Sequence, residues 1–171
     1  MFGQEHKLSQ EELNGVRSSL HGQGYDLFGC AAECTRVGAE ADARCRSGGT
    51  CIIVPQERGA EELWLFGQAD LTTPLTRGRL SGCYTRDLGG VACLAVYFGV
   101  GGWTEVNQAL AAQILQVVAV LRVPWVLAGD FNMEAEMLLA GMPWLWACAT
   151  VFRTTGGPAR WRSGGLTSTW R

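Results

Sequence analysis

The longest apolar β-type run of the chain, Val91–Phe98, is followed by a helical pattern and then by a second apolar strand, Trp125–Ala128. An unbroken apolar run of this length is typical of a strand that is buried on both faces. Between the strands, a stripe at spacings of four, four, three and four predicts a helix over 105–121: Val106, Leu110, Ile114, Val117 and Leu121. This strand–helix–strand unit predicts an α/β fold.

The second strand leads directly into four residues with chemical potential, Gly129, Asp130, Phe131 and Asn132. We expect Gly129 to end the strand, and Asp130 and Asn132 to project from one side while Phe131 enters the core. A carboxylate and a carboxamide at the carboxyl end of a buried strand are commonly placed for catalysis. The alternative is an Asx turn that merely closes the strand through local hydrogen bonds.

Gly129-Asp130-Phe131-Asn132 resembles the GDFN motif of the endonuclease/exonuclease/phosphatase superfamily. This group includes DNase I-like nucleases, abasic-site endonucleases, inositol-polyphosphate 5-phosphatases and the endonucleases of non-LTR retroelements. The strand–helix–strand order before the motif is also similar. The resemblance implies a DNase I-like α/β sandwich, in which two mixed sheets pack face to face between helices.

Gln4-Glu5 is similar to the Gln-Glu pair that supplies the metal-binding glutamate of the superfamily. The residues after it predict a helix start, with Ser9 as the N-cap and Glu12 completing a capping box. Glu5 is therefore expected at the end of a strand. The resemblance implies that Glu5 is a metal ligand, whereas an ordinary solvated carboxylate is the alternative. His6 is expected only to flank the site.

Tyr97, at the end of the first strand, is similar to a tyrosine of the superfamily's active site, although the usual nearby proline is replaced by Phe98-Gly99. A core tyrosine is the alternative. The resemblance implies Mg²⁺- or Mn²⁺-dependent hydrolysis of a phosphate ester. In that reaction Asp130 would orient or deprotonate the attacking water, Asn132 would position Asp130 and the phosphate, and Tyr97 would hydrogen-bond a phosphoryl oxygen.

The expected substrate is nucleic acid, because the spacing and the GDFNM form look most like retroelement or abasic-site endonucleases. A phosphoinositide or nucleotide phosphatase is the second option. The superfamily also carries an earlier asparagine and a late aspartate-histidine pair, whereas His6 and His21 are the only histidines here. We therefore expect residues 1–171 to be a single, incomplete domain, truncated at both ends. A catalytically inactive remnant remains an alternative.

The other predicted elements are shorter. We expect strands at 25–28, 51–54, 63–66 and 79–84, a hairpin connection at 86–90 and a short helix at 134–139. The segment 31–49 is small, polar and unpatterned, which predicts a surface loop. Its arginines could meet a phosphate, although solvated side chains are the simpler interpretation: Arg36, Arg44 and Arg46. Arginines interleaved with tryptophans in the last residues could contact nucleic acid, although solvated side chains are the simpler interpretation: Arg153, Arg160, Arg162 and Arg171.

The seven cysteines are an odd number, and Cys51 and Cys93 lie inside apolar runs, so we expect reduced thiols. A zinc-binding interaction module is a third option, built on the cluster Cys30, Cys34, Cys45 and Cys51, although none of its gaps is a C-x-x-C knuckle.

The net charge of −2 provides no basic footprint for nucleic acid, so phosphate contacts must be local or made through a metal. No apolar leader and no run of about 18 apolar residues is present, which predicts an intracellular protein, nuclear or cytoplasmic, with no membrane span.

Overall fold

The computed structural model describes residues 1–34, 45–63 and 76–145, together with the backbone of 150–151 and 166–167. The helices are α1 (Gln10–His21), α2 (Glu105–Val120) and α3 (Ala135–Gly141). The strands are β1 (Phe2–Gln4), β2 (Tyr25–Cys30), β3 (Glu33–Cys34), β4 (Arg46–Ser47), β5 (Thr50–Pro55), β6 (Glu61–Glu62), β7 (Leu80–Thr85), β8 (Val91–Tyr97), β9 (Trp125–Asp130), β10 (Thr150–Val151) and β11 (Leu166–Thr167).

Two sheets make up the frame. The smaller is antiparallel, in the order β1-β5-β2, and the larger has the order β10-β11-β9-β8-β7-β6. In the larger sheet β8 and β9 are parallel, because α2 carries the chain back across the sheet between them. β3 and β4 form a separate two-stranded ladder.

The sheets pack face to face, with helices on both outer sides. The layer between them contains Ile52 and Val54 of the smaller sheet and Cys83 and Ala95 of the larger. Leu13 packs α1 onto the outer face of the smaller sheet. The largest cluster lies between the other face of the larger sheet and α2 and α3. The predicted two-sheet α/β sandwich flanked by helices is confirmed.

Side-chain alternation along β8 and β9 places the two ends of these strands. The residues that face α2 and α3 are Ala92, Leu94, Val96, Trp125 and Leu127. Ala95 instead belongs to the layer between the sheets. Continuing the alternation by two residues brings Tyr97 to the same face as Ala95, and Asp130 lies directly opposite Tyr97 in the parallel register. The carboxyl ends of β8 and β9 thus direct both side chains toward the smaller sheet.

The sequence predicted that Gly129 ends β9, but the strand continues through Asp130. A Cβ atom at Gly129 would lie 2.0 Å from the carbonyl oxygen of Val96. Glycine is therefore required by the close approach of β8 and β9, and not by a turn.

The prediction of a solvated Arg46 was wrong. Residues 33–34 and 46–47 form the β3–β4 ladder, and Arg46 is 9% exposed. Its Nη1 donates to the carbonyl oxygen of Lys7 (3.2 Å) and to the carboxylate of Glu12. The capping box of α1 therefore supplies the charged partner that a buried arginine needs. Arg36 and Arg44 lie outside the described residues.

The remaining boundaries differ modestly from the predictions. The strands predicted at 25–28 and 51–54 extend to Cys30 and Pro55, and the predicted hairpin joins β7 to β8. Leu63 is buried but is not in a strand; residues 64–66, and the arginines after 151, lie outside the described residues. Cys51 is a free thiol within the buried cluster under α1, and Cys93 is a free thiol packed against the layer between the sheets. Where the structure is described, no helix is long and apolar enough to cross a membrane.

Candidate functional site

β1 delivers Glu5 to the site. Gln4, the last residue of β1, pairs with Thr50 of β5, so Glu5 follows a strand as the sequence predicted. The next residues fold over the glycine pair before β5, because the amides of His6 and Lys7 donate to the carbonyl oxygens of Gly49 (3.4 Å) and Gly48 (3.5 Å). A Cβ atom at Gly49 would lie 2.5 Å from the His6 ring, so only glycine allows this packing.

The backbone of this segment is strained. Glu5 has φ = 50° and Lys7 has φ = 58°, in the left-handed region that L side chains rarely adopt. The Glu5 carboxylate is exposed and lies 3.7 Å from the Lys7 ammonium, a surface pair that contributes little to stability. Strain of this kind persists at functional sites when the surroundings impose it.

Asp130 is held by a turn that its own carboxylate makes. The backbone amide of Asn132 donates to Asp130 Oδ1 at 3.1 Å, and Asn132 has φ = 47°. The Asn132 side chain donates through Nδ2 to the carbonyl oxygen of Phe98 at 2.8 Å. An Asx turn is therefore present, and it fixes the direction of the carboxylate. Phe131 is 1% exposed within the core, as predicted.

Tyr97 is a neighbour of both carboxylates. It is 6% exposed, it pairs with Asp130 in the strand register, and the amide of the next residue, Phe98, donates to the carbonyl oxygen of Asp130 at 2.8 Å. Burial raises the pKa of the Tyr97 phenol, and the Glu5 carboxylate raises this pKa further through its charge and a hydrogen bond. Arg79 lowers the pKa of Tyr97 and Asp130 raises it, both by smaller amounts. Tyr97 is thus a buried tyrosine whose hydroxyl group bonds Glu5 close to Asp130.

Arg79 is a neighbour of the site that sequence reasoning missed. Its guanidinium carbon lies 5.3 Å from the centre of the Tyr97 ring, within the range of a cation–π contact. Nη1 donates to the carbonyl oxygen of Tyr97 (3.5 Å) and Nη2 to Ser47 Oγ (3.4 Å). The signal was present in the hairpin, since pairing β7 back from the 86–90 connection sets Arg79 opposite Tyr97.

His6 packs against Gly49 and bonds its own segment. Its Nδ1 accepts the amide of Leu8 at 3.1 Å, and its buried Nε2 has no hydrogen-bond partner in the part of the chain that the structure describes. Burial lowers the pKa of His6, which favours the neutral ring. The other histidine, His21, ends α1 and bonds Asp26. Neither histidine joins Tyr97.

The oxygen atoms of Glu5 and Asp130 suit a hard cation. Mg²⁺ in proteins is commonly held by one or two carboxylates, with water and substrate phosphate completing its shell. Within residues 1–34, 45–63 and 76–145 no group of three or more His, Cys, Asp or Glu side chains is placed to bind a metal. The two carboxylates therefore fit Mg²⁺ or Mn²⁺ with the rest of the shell supplied by water and substrate.

Comparisons with known proteins identify the architecture. Neither protein-family models nor curated proteins match the sequence. Among solved structures, a humanised D. rerio TDP2 with 14 mutations aligns at a TM-score of 0.57 and 15% identity, over 98% of this chain and 67% of that one. The human Nocturnin catalytic domain with bound sulfate gives 0.58 and 12%, over 98% and 68%.

A 3′ phosphatase from Neisseria, NExo, aligns at a TM-score of 0.57 and 16% identity, over 98% of this chain and 75% of NExo. Identities this low establish architecture alone. The chain has the DNase I-like fold of the endonuclease/exonuclease/phosphatase proteins.

Proposed function

We propose that the protein is a Mg²⁺- or Mn²⁺-dependent phosphoesterase that acts on nucleic acid. The observation that carries this proposal is the convergence of Glu5, Tyr97 and Asp130 at one end of the sandwich, next to the guanidinium of Arg79. Two carboxylates, a protonated phenol and a cation form a set that can bind a phosphate ester and activate water against it.

Each side chain has a distinct role in the proposal. Glu5, with Asp130 nearby, would hold the cation, whose chemistry is to polarise a phosphoryl oxygen and stabilise the leaving oxyanion. Asp130, fixed by the amide of Asn132, orients the attacking water and takes its proton. Asn132 therefore positions Asp130 through its backbone, while its carboxamide ties the motif to β8.

Tyr97 and Arg79 bind the phosphate in this proposal. A tyrosine hydroxyl group is protonated at neutral pH, and the upward shift of the pKa of Tyr97 is in the same direction, so this group can donate to a phosphoryl oxygen. Arg79 offers a guanidinium group, whose planar set of donors matches the oxygens of a phosphate. Such a local cation compensates for a chain whose net charge is −2.

Nucleic acid is favoured as the substrate by what the similar structures contain. D. rerio TDP2 has been solved with a single-strand DNA product, at a TM-score of 0.55 and 12% identity, and NExo with a product DNA hairpin. ANGEL2, at a TM-score of 0.53, is described as a 2′,3′-cyclic phosphatase. The narrower expectation of a retroelement or abasic-site endonuclease rests on the GDFNM sequence and stays a prediction. A phosphoinositide or nucleotide phosphatase is the competing outcome.

The test is hydrolysis by the full 171-residue chain with added Mg²⁺ or Mn²⁺. Supercoiled plasmid, an abasic-site duplex and a 3′-phosphorylated single strand should be compared with a soluble phosphoinositide. We expect slow, metal-dependent cleavage of nucleic acid, because no histidine joins the cluster. Loss in Asp130→Ala, but not in Asp87→Ala, where the carboxylate pairs with Arg58, would support the proposal. Equal activity in both variants would refute it.

A further inference from the structure

Asn107 is a buried polar residue that the proposed chemistry does not use. It lies in the first turn of α2, is fully buried, and bonds the loop that follows Tyr97. Its Oδ1 accepts the amide of Gly99 at 2.8 Å, and its Nδ2 donates to the carbonyl oxygen of the same glycine at 2.8 Å. The carboxamide therefore pairs with Gly99 as a neighbouring strand would.

The second hydrogen of Asn107 Nδ2 fixes the far side of the loop. It donates to the carbonyl oxygen of Gly102 at 2.6 Å, so one side chain spans residues 99–102. The helix start does not depend on this side chain, because Thr104 Oγ1 caps the backbone amide of Asn107. The carboxamide of Asn107 thus serves the loop and not the helix.

Gly99 lies between the site and Asn107. A Cβ atom at Gly99 would be 3.6 Å from Arg79 Nη1 and 3.6 Å from Asn107 Oδ1. The preceding residue, Phe98, is held from the other side, since its amide donates to Asp130 and its carbonyl oxygen accepts from Asn132. The end of β8 is therefore clamped at two successive residues by two asparagine side chains.

We propose that Asn107 is a positioning residue, which fixes Gly99 and thereby sets the place of Tyr97 and Arg79 relative to Asp130. Its effect on catalysis rests on the proposed function, but its effect on the geometry does not. A side chain that only filled space would be replaceable by any residue of the same shape. A positioning carboxamide is not, because two of its three loop bonds need donor hydrogens.

The test uses amide exchange at Gly99 and the ring resonances of Tyr97 in the full chain. Tyr25→Phe and Tyr84→Phe leave Tyr97 as the sole tyrosine, since the chain has 3. In Asn107→Ala we expect exchange at Gly99 to rise about tenfold, as for loss of its hydrogen bond. The ring resonances of Tyr97 should also shift, because the guanidinium of Arg79 lies against this ring and both residues lose their fixed neighbour, Gly99. Unchanged exchange together with unchanged Tyr97 resonances would overturn the proposal.

Asn107→Asp keeps the test decisive if the alanine variant fails to fold. Its carboxylate would face the carbonyl oxygens of Gly99 and Gly102, and this contact favours the protonated acid, which can donate one of the lost bonds. Protection of Gly99 should therefore increase as the pH is lowered, relative to the unmodified chain. A variant that shows no such pH step, with Gly99 protected at every pH, would contradict positioning by the donor group.

Gln113→Leu is the matched control. Gln113 lies on the same helix, is 4% exposed, and its carboxamide has no hydrogen-bond partner where the structure is described. This substitution should leave Gly99 exchange unchanged. If the chain hydrolyses nucleic acid, Asn107→Ala should raise KM and lower kcat, because Tyr97 and Arg79 bind the phosphate in the proposed function, whereas Gln113→Leu should change neither. If it shows no hydrolysis, the proposed function fails, while Gly99 exchange and the Tyr97 ring resonances still decide the role of Asn107.

Discussion

The two strand ends that supply the carboxylates are held very differently. Asp130 belongs to a segment whose carboxylate, carboxamide and backbone are bonded to one another and to β8 at 2.8–3.1 Å. Glu5 belongs to a segment with two residues at positive φ, an exposed carboxylate and backbone hydrogen bonds of 3.4 and 3.5 Å. The Asp130 segment, which would orient the water in the proposed function, is therefore preorganised. The Glu5 segment, which would bind the cation, can adjust, as a cation that keeps much of its water requires.

The largest expected difference between the Asp130 segment and the Glu5 segment is in the rate of nucleic-acid hydrolysis. Asp130→Asn should lower the rate of nucleic-acid hydrolysis by about 10²–10⁴-fold, the usual contribution of a general base, at every Mg²⁺ concentration. Glu5→Gln should weaken cation binding, so raising the Mg²⁺ concentration should recover part of the lost rate. Rates measured across a Mg²⁺ titration distinguish this variant from Asp130→Asn. Full recovery of Asp130→Asn by metal would mean that the roles are reversed.

The Asp130 segment should not tolerate added side-chain volume. Gly129→Ala places a Cβ atom against the Val96 carbonyl oxygen, and since backbone atoms must shift, we expect the free energy of unfolding to fall by about 3 kcal/mol or more. Gly15→Ala is the control, because nothing lies within 4 Å of its Cβ position in α1, and it should stabilise by about 0.5–1 kcal/mol. Urea unfolding measures both. Equal stabilities would show that β8 and β9 are not held as closely as the structure indicates.

The Glu5 segment should gain stability when the strain of its positive φ angles is released. Glu5→Gly removes a side chain from φ = 50°, and we expect the free energy of unfolding to rise by about 0.5–1 kcal/mol while cation binding is lost. Lys7→Gly releases similar strain at φ = 58° but keeps the carboxylate. Thermal unfolding with and without Mg²⁺ distinguishes the variants. Destabilisation by both would indicate that the segment is not strained.

The smallest expected effect is a loss of stability at acid pH. Hydrogen bonds from the backbone and side chain of Ser9, followed by one from Arg46, lower the pKa of Glu12 from 4.5 to about 2. A lowered carboxyl pKa contributes stability that is fully present above 4.5 and is lost as the pH falls through 2. Arg46 also bonds the carbonyl oxygen of Lys7, so acid should loosen the Glu5 segment first.

The protection of the Lys7 amide against exchange, taken relative to the intrinsic rate at each pH between 5 and 2, measures this loosening. Glu12→Gln should remove most of the pH dependence of this protection. If protection is lost first at Asp130 and Asn132, acid loosens the Asp130 segment before the Glu5 segment, against this prediction.

The parts of the site that sequence predicts are those encoded over a few neighbouring residues. The GDFN turn, the capped helix after Glu5 and the strand that ends at Tyr97 are local patterns, and the structure contains each of them. Arg46 was misjudged because its carboxylate partner, Glu12, lies 34 residues away. Gly129 was misjudged because a turn and a close strand contact both demand glycine. Arg79 was missed because only the register of β7 on β8, counted back from the hairpin connection, places it opposite Tyr97.

The register of β7 on β8 has a consequence for which insertions the protein can accept. Side chains alternate between the two faces of a sheet, so a shift of one residue turns a whole strand over. A single insertion in the 86–90 connection that shifted β7 would move Arg79 away from Tyr97 and turn the buried Cys83 toward the helices. Among related genes, the length of this remote connection should therefore vary less than its composition.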